Sequence, residues 1–137
     1  MYQLTKPDNV VEILEKSVAK FPQRPFLGTK NKTLQQYEWI TYADFGKRVD
    51  NLRSGLSQIG VQKDDAVGII CNNSTDWAIC FFANSGLGAR FVPMYEAELV
   101  QVWKYIINAF SEIRIGYPVI LFQLLIFCPK KRSLWKF

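Results

Sequence analysis

The groups that move protons, hold metals or grip phosphates are scarce in this sequence. There is no histidine, which removes the usual general base near neutral pH and the commonest metal ligand. Cys71, Cys80 and Cys128 have no metal-ligand spacing and follow no signal peptide, so they read as small buried hydrophobes in a reducing compartment. Asp64 and Asp65 are adjacent, but with no identifiable acid/base partner they read as a turn. Glu96 and Glu98 read as acids that complement a helix terminus, and Trp77, Phe81, Phe82 and Trp103 as core rather than a cofactor platform. A phosphate cradle needs closely spaced glycines ahead of a helix, usually with a lysine. Of eight glycines only Gly86 and Gly88 are close together, and they follow a predicted helix instead of opening one. The polar loop Cys71 to Thr75 lies beyond a predicted strand, where α/β sheets tend to bind ligands, yet a turn and a helix cap account for it. The residues therefore assign no catalytic, cofactor-binding or metal position.

The elements around these residues are more informative. Ala66 to Ile70 is a short apolar run bounded by turn residues on both sides, which predicts a buried strand. Ser74 or Thr75 can cap a helix from about Thr75 to Leu87, with Asp76 near its positive end and Gly86 and Gly88 supplying its close. Arg90 to Val92 is a second strand, closed by Pro93. Two buried strands joined through a helix are most simply parallel, which makes the fold class α/β with a parallel βαβ unit at 66–93.

Before this unit, Asp8 or Asn9 can cap a helix carrying Val11, Leu14, Val18 and Phe21, ended by Pro22 and Pro25. Arg24 to Thr29 and Leu34 to Ile40 predict an antiparallel hairpin about the turn Lys30-Asn31-Lys32. Thr41 starts a second helix with Asp44 three residues on, and Tyr42, Phe45, Val49, Leu52, Leu56 and Ile59 repeat on one face. Gly60 followed by Val61 reads as a glycine C-cap with its apolar contact. After the unit, Leu99, Val102, Trp103, Ile106 and Phe110 make the apolar face of a fourth helix behind Glu96-Ala97-Glu98.

The chain has 137 residues, 49% hydrophobic and 21% charged, enough for one domain with a real core and too apolar for global disorder. Its net charge of +5 is uneven: residues 1–110 hold 12 Lys/Arg against 11 Asp/Glu, and 111–137 hold 5 against 1. No basic stripe with interleaved aromatics crosses the body, so no nucleic-acid partner is expected. The start of the sequence is too polar for a secretory signal, so the location expected is cytoplasmic, and the glycosylation patterns at Asn31-Lys32-Thr33 and Asn72-Asn73-Ser74 carry little weight.

The organisation changes near residue 110, which divides the chain into a 1–110 body and a divergent 111–137 tail. Tyr117 to Cys128 is an almost unbroken apolar run followed by Pro129-Lys130-Lys131-Arg132. As a helix, Val119 to Cys128 would span about 15 Å, half of the ~30 Å hydrocarbon layer, too short for a membrane span. The tail reads as a buried strand or a sticky non-native end. The alternative is attachment of residues 117–137 to a membrane surface, with the basic cluster as flank.

In order, these stretches resemble a known family. Trp39-Ile40-Thr41-Tyr42-Ala43-Asp44-Phe45 looks like the start of a long helix in AMP-forming acyl-CoA synthetases, the adenylate-forming enzymes. Gly60 to Ile69, GVQKDDAVGI, is similar to that family's G-V-x-K-G-D-x-V-G-I, with Asp64 where glycine is usual. Trp77 and Ala83 to Tyr95, ANSGLGARFVPMY, resemble its next segment, and YEAELVQVWKYIIN is closest to the long-chain fatty-acid branch. The resemblance covers about Asn9 to Asn108. It implies the N-terminal part of an enzyme that activates a carboxylate with ATP and Mg²⁺ to an acyl-adenylate and passes the acyl group to coenzyme A. It also implies that the phosphate loop, adenylate motif, ribose-binding aspartate and catalytic lysine lie downstream, with no counterpart here. The expectation is thus a truncated synthetase-like piece, cut near Asn108 to Ser111, inactive alone and poorly soluble, needing no cofactor of its own. The rival expectation is a non-catalytic module that associates with a full-length synthetase or a membrane through its tail.

Overall fold

The computed structural model of the chain describes residues 7–112 and 126–127. Helix α1 (Val10–Lys20) precedes strands β1 (Pro25–Asn31) and β2 (Gln36–Thr41). Helix α2 (Tyr42–Gln58), strand β3 (Ala66–Ile70), helix α3 (Thr75–Leu87) and strand β4 (Arg90–Met94) follow, then helix α4 (Val100–Glu112) and the short strand β5 (Ile126–Phe127). The class is α/β, as predicted. β1 and β2 form an antiparallel hairpin, and β3 pairs in parallel with β4 and with β5, in the order β4-β3-β5. Most of the 117–137 run lies outside the described residues, but its Ile126–Phe127 pair lies beside Ile69 and Ile70 as a strand.

Helix starts follow the residues expected to cap them. Asn9 accepts from the Glu12 amide at 2.9 Å while Glu12 reaches back to the Asp8 amide, so two otherwise orphaned donors are satisfied. Thr41 Oγ1 accepts from the Asp44 amide at 3.1 Å and donates to its carboxylate at 2.8 Å. For α3 the cap is Ser74, whose Oγ accepts from the Trp77 amide at 3.2 Å. The closes of α2 and α3 are alike. Val61 donates to the Leu56 carbonyl and Gly60 to that of Ser57; Ala89 donates to Asn84 and Gly88 to Ser85. Both are Schellman motifs, which require a left-handed residue, and Gly60 (φ +93°) and Gly88 (φ +68°) supply it.

Four boundaries differ from the sequence-based reading. The hairpin turn sits later, at 32–35, because Asn31 Oδ1 accepts from the amides of Thr33 and Leu34 and Gln35 adopts φ +53°. Leu34 is consequently an exposed turn residue, not part of a strand. Gly86 lies inside α3, where a side chain would strike Arg53, and only Gly88 ends the helix. β4 continues through Pro93 to Met94; among the described residues it lies at the edge of its sheet, where a strand tolerates proline. Finally, α4 begins at Val100 with no acid in its first turn; Glu96 and Glu98 belong to the preceding turn, and Leu99 is exposed.

The core lies where α1, α2 and α3 meet β3. Leu14, Phe45, Val49, Leu56, Val61, Val67, Ile79 and Ala83 form one buried cluster. Phe45, 0% exposed, meets Phe26 and Phe82 edge-on at centroid distances of 4.9 and 5.7 Å. A second cluster, Ile69, Cys71 and Cys80, lies under the half-buried Trp77 and Phe91.

Candidate functional site

The carboxyl end of β3 and β4 is where a parallel sheet presents its loops to a ligand. Two segments meet there: Cys71 to Ser74, and the turn Tyr95 to Glu98. Asn72 Nδ2 donates to Glu96 Oε2 at 2.9 Å, tying one loop to the other. The Trp103 indole N–H donates to the Tyr95 carbonyl at 2.9 Å and fixes α4 against the second loop. Glu96 thus braces two loops instead of complementing a helix end. The sequence carried no signal for that pairing, since the partners are 24 positions apart.

This mouth lacks the features of a phosphate cradle. An anion at a helix start needs free amides and a positive surround. Here the Trp77 amide is already taken by Ser74, the loop Cys71-Asn72-Asn73-Ser74 has no glycine, and Asp76 and Glu96 add negative charge. Asp64 and Asp65 form the predicted turn. Asp65 is buried and its carboxylate accepts from the Gln62 amide at 2.8 Å; Asp64 sits at φ +68° and donates its amide to the Gly88 carbonyl at 3.0 Å. The glycine usual at this place in the resembling family is explained by that backbone conformation. Among the described residues, no group of three or more Cys, Asp or Glu side chains could hold a metal ion.

A groove of about 570 Å³ lies elsewhere, among α1, α2 and α3, lined by Leu14, Val18, Val49 and Phe82 and by charged side chains including Glu15, Lys47, Asp50 and Arg53. None of its lining residues belongs to the two loops. Arg53 bonds Asp50 at 2.8 Å, reaches Glu15 at 3.7 Å and lies over Gly86, so it braces three helices. Cys71 and Cys80 are buried free thiols, as predicted, whereas Cys128 lies outside the described residues. Burial, with smaller contributions from Cys71 and Asp76, pushes the Cys80 thiol up to about 12, which keeps it protonated and a poor nucleophile. Trp77, Phe81 and Phe91 stack and meet edge-on within 6 Å, which bears out Trp77 and Phe81 as packing residues.

Sequence reasoning missed Asn84. It is 0% exposed, donates Nδ2 to the Cys80 carbonyl at 2.8 Å, and its Oδ1 has no hydrogen-bond partner among the described residues. Only its place on a helical face otherwise made of Cys80, Ala83 and Leu87 could have signalled it. No described helix is long and apolar enough to cross a membrane.

Comparison with known proteins places this geometry. The family model for the AMP-binding enzyme matches residues 14–111. Long chain acyl-CoA synthetase 3 of Arabidopsis thaliana is 34% identical over 96 residues, covering 66% of this chain and 14% of that protein. Long chain acyl-CoA synthetase 4 of the same plant is 30% identical over 113 residues, covering 80% and 17%. The fatty acid AMP ligase from Legionella pneumophila superposes with a TM-score of 0.67 at 17% identity, over 74% of this chain and 18% of that one, which shows a shared fold. The chain therefore spans about one-sixth of the length of the curated relatives it matches. With residues 14–111 matched, this chain belongs to the AMP-binding enzyme family, as an acyl-CoA synthetase-like member.

Proposed function

We propose that these 137 residues supply the N-terminal framework of a long-chain acyl-CoA synthetase-like domain and do not themselves adenylate a fatty acid. The observation that carries this reading is the start of α3. It is the helix that follows a buried parallel strand, yet its cap is closed by Ser74 and its surround is acidic. Gly88, the glycine nearest to a cradle in sequence, closes the helix at the other end. ATP, Mg²⁺ and coenzyme A are what the resemblance implies for the family's reaction; the mouth beyond β3 has no glycine cradle for a phosphate, and no group of three or more Cys, Asp or Glu among the described residues could hold the metal ion.

What this chain's residues do is mechanical: α2 and α3 hold β3, and the Asn72–Glu96 bond joins the loops at its carboxyl end. ATP–pyrophosphate exchange tests the reading. The purified chain with a long-chain fatty acid is expected to give exchange no faster than the protein-free blank; exchange dependent on both fatty acid and protein overturns it.

A second reading is a non-catalytic module acting through its tail, on a membrane or on a full-length synthetase. The pairing of Ile126–Phe127 along β3 supports the sheet as that segment's place over a bilayer. Deleting residues 111–137 is expected to lower stability in urea and not to be the step that abolishes membrane recovery.

A further inference from the structure

The β1–β2 hairpin has one face turned to the core and one turned out. Leu27 and Ile40 pack against the main cluster, and the Thr29 hydroxyl lies 3.4 Å from that of Thr75, so their side is the inner one. The register pairs Gly28 with Trp39 and Lys30 with Tyr37, which places these four together on the outer side. Trp39 and Tyr37 are each 59% exposed, with ring centroids 6.0 Å apart. Gly28 is what lets the indole lie down, since a Cβ there would meet three ring atoms at 3.1 Å. The result is an exposed aromatic patch along the strand, its two rings tilted 36° to each other.

The charged side chains it carries are basic, and the exposed Glu38 lies on the other side of the strand. Lys30 and, in the turn, Lys32 are exposed and make no ion pair among the described residues. Glu38, the acid of this hairpin, belongs to the inner side, where its carboxylate accepts from Asn31 Nδ2 at 2.6 Å. Leu34 projects at the turn, well exposed.

We propose that this outer face of the hairpin docks on a bilayer surface that carries anionic phospholipid headgroups. Trp and Tyr rings favour the headgroup level, where an apolar body and a polar edge are both satisfied. The two lysines meet the negative surface, and Leu34 is the side chain that enters the acyl boundary. A nucleic acid fits less well, because the face has two lysines, no arginine and an apolar tip. The inference stands independently of the proposed lack of adenylation and of the 111–137 tail.

Flotation of the full chain with phosphatidylcholine vesicles, with and without phosphatidylserine, tests it; aggregated protein stays at the bottom of the gradient. The expected result is flotation that depends on phosphatidylserine at about 0.1 M salt, where the Debye length is still ~10 Å. The Lys30→Gln/Lys32→Gln variant should partition about thirtyfold more weakly, at ~1 kcal/mol per lysine near such a surface. Tyr37→Thr/Trp39→Thr should stay at the bottom while keeping the far-ultraviolet circular dichroism of the unchanged chain. Equal flotation of both variants and the unchanged chain overturns the proposal, because another surface would then carry the binding. Displacement from vesicles by single-stranded RNA at stoichiometric amounts overturns it in favour of a nucleic-acid face.

Discussion

The central unit, α2 through β4, and the two outlying elements, the hairpin and α4, carry large apolar side chains alike, but the first buries them most fully, while the others leave several exposed. All five residues of β3 are buried, as are Phe45, Val49 and Leu56 of α2. In the hairpin and α4, Tyr37, Trp39, Val100 and Tyr105 are exposed, as is Leu99 just ahead of the helix. The difference teaches that amphipathic spacing says a face suits a partner without naming the partner. For the central unit the partner is within the described residues. It closes on itself through two Schellman ends and a turn in which Asp64 and Gly88 are hydrogen-bonded.

Substitutions sharpen that contrast, and the largest effect belongs to the core. Phe45→Ala should lower stability by about 3–5 kcal/mol in urea unfolding, while Tyr105→Ser should stay within about 0.5 kcal/mol. Equal costs would erase the distinction between the two regions. Gly88→Ala comes next, at about 1–2 kcal/mol, because it strains a left-handed residue and presses a Cβ to 3.1 Å from Lys63. Asp64→Gly is the smallest and has the opposite sign. Relieving φ +68° should stabilise the chain by about 0.5 kcal/mol, net of the greater freedom glycine has when unfolded. Destabilisation by that change would mean that the Asp64 side chain contributes more than its backbone strain costs.

Much of the fold was legible in the sequence because local chemistry fixed it. The bounds of β3 and α3, the caps at Ser74 and Thr41 and the glycine closes at Gly60 and Gly88 follow from side chains acting on their own neighbours. Errors arose where a residue's meaning depends on distant context. Pro93 ends a strand only if its missing N–H faces a ladder, and the sheet order among the described residues places it on an edge. Gly86 reads as a helix stop until Arg53 is seen lying against it. At the candidate site, the Ser74 cap was readable from its own neighbours, whereas the Asn72–Glu96 bond and buried Asn84 depend on tertiary packing.

We propose that this framework, which has the fold of the AMP-binding enzyme family, carries no nucleotide grip of its own. Equilibrium dialysis of the purified chain against radiolabelled ATP with Mg²⁺ tests it most directly. Equal label on both sides of the membrane is expected at every concentration; saturable retention approaching one ATP per chain would contradict the proposal.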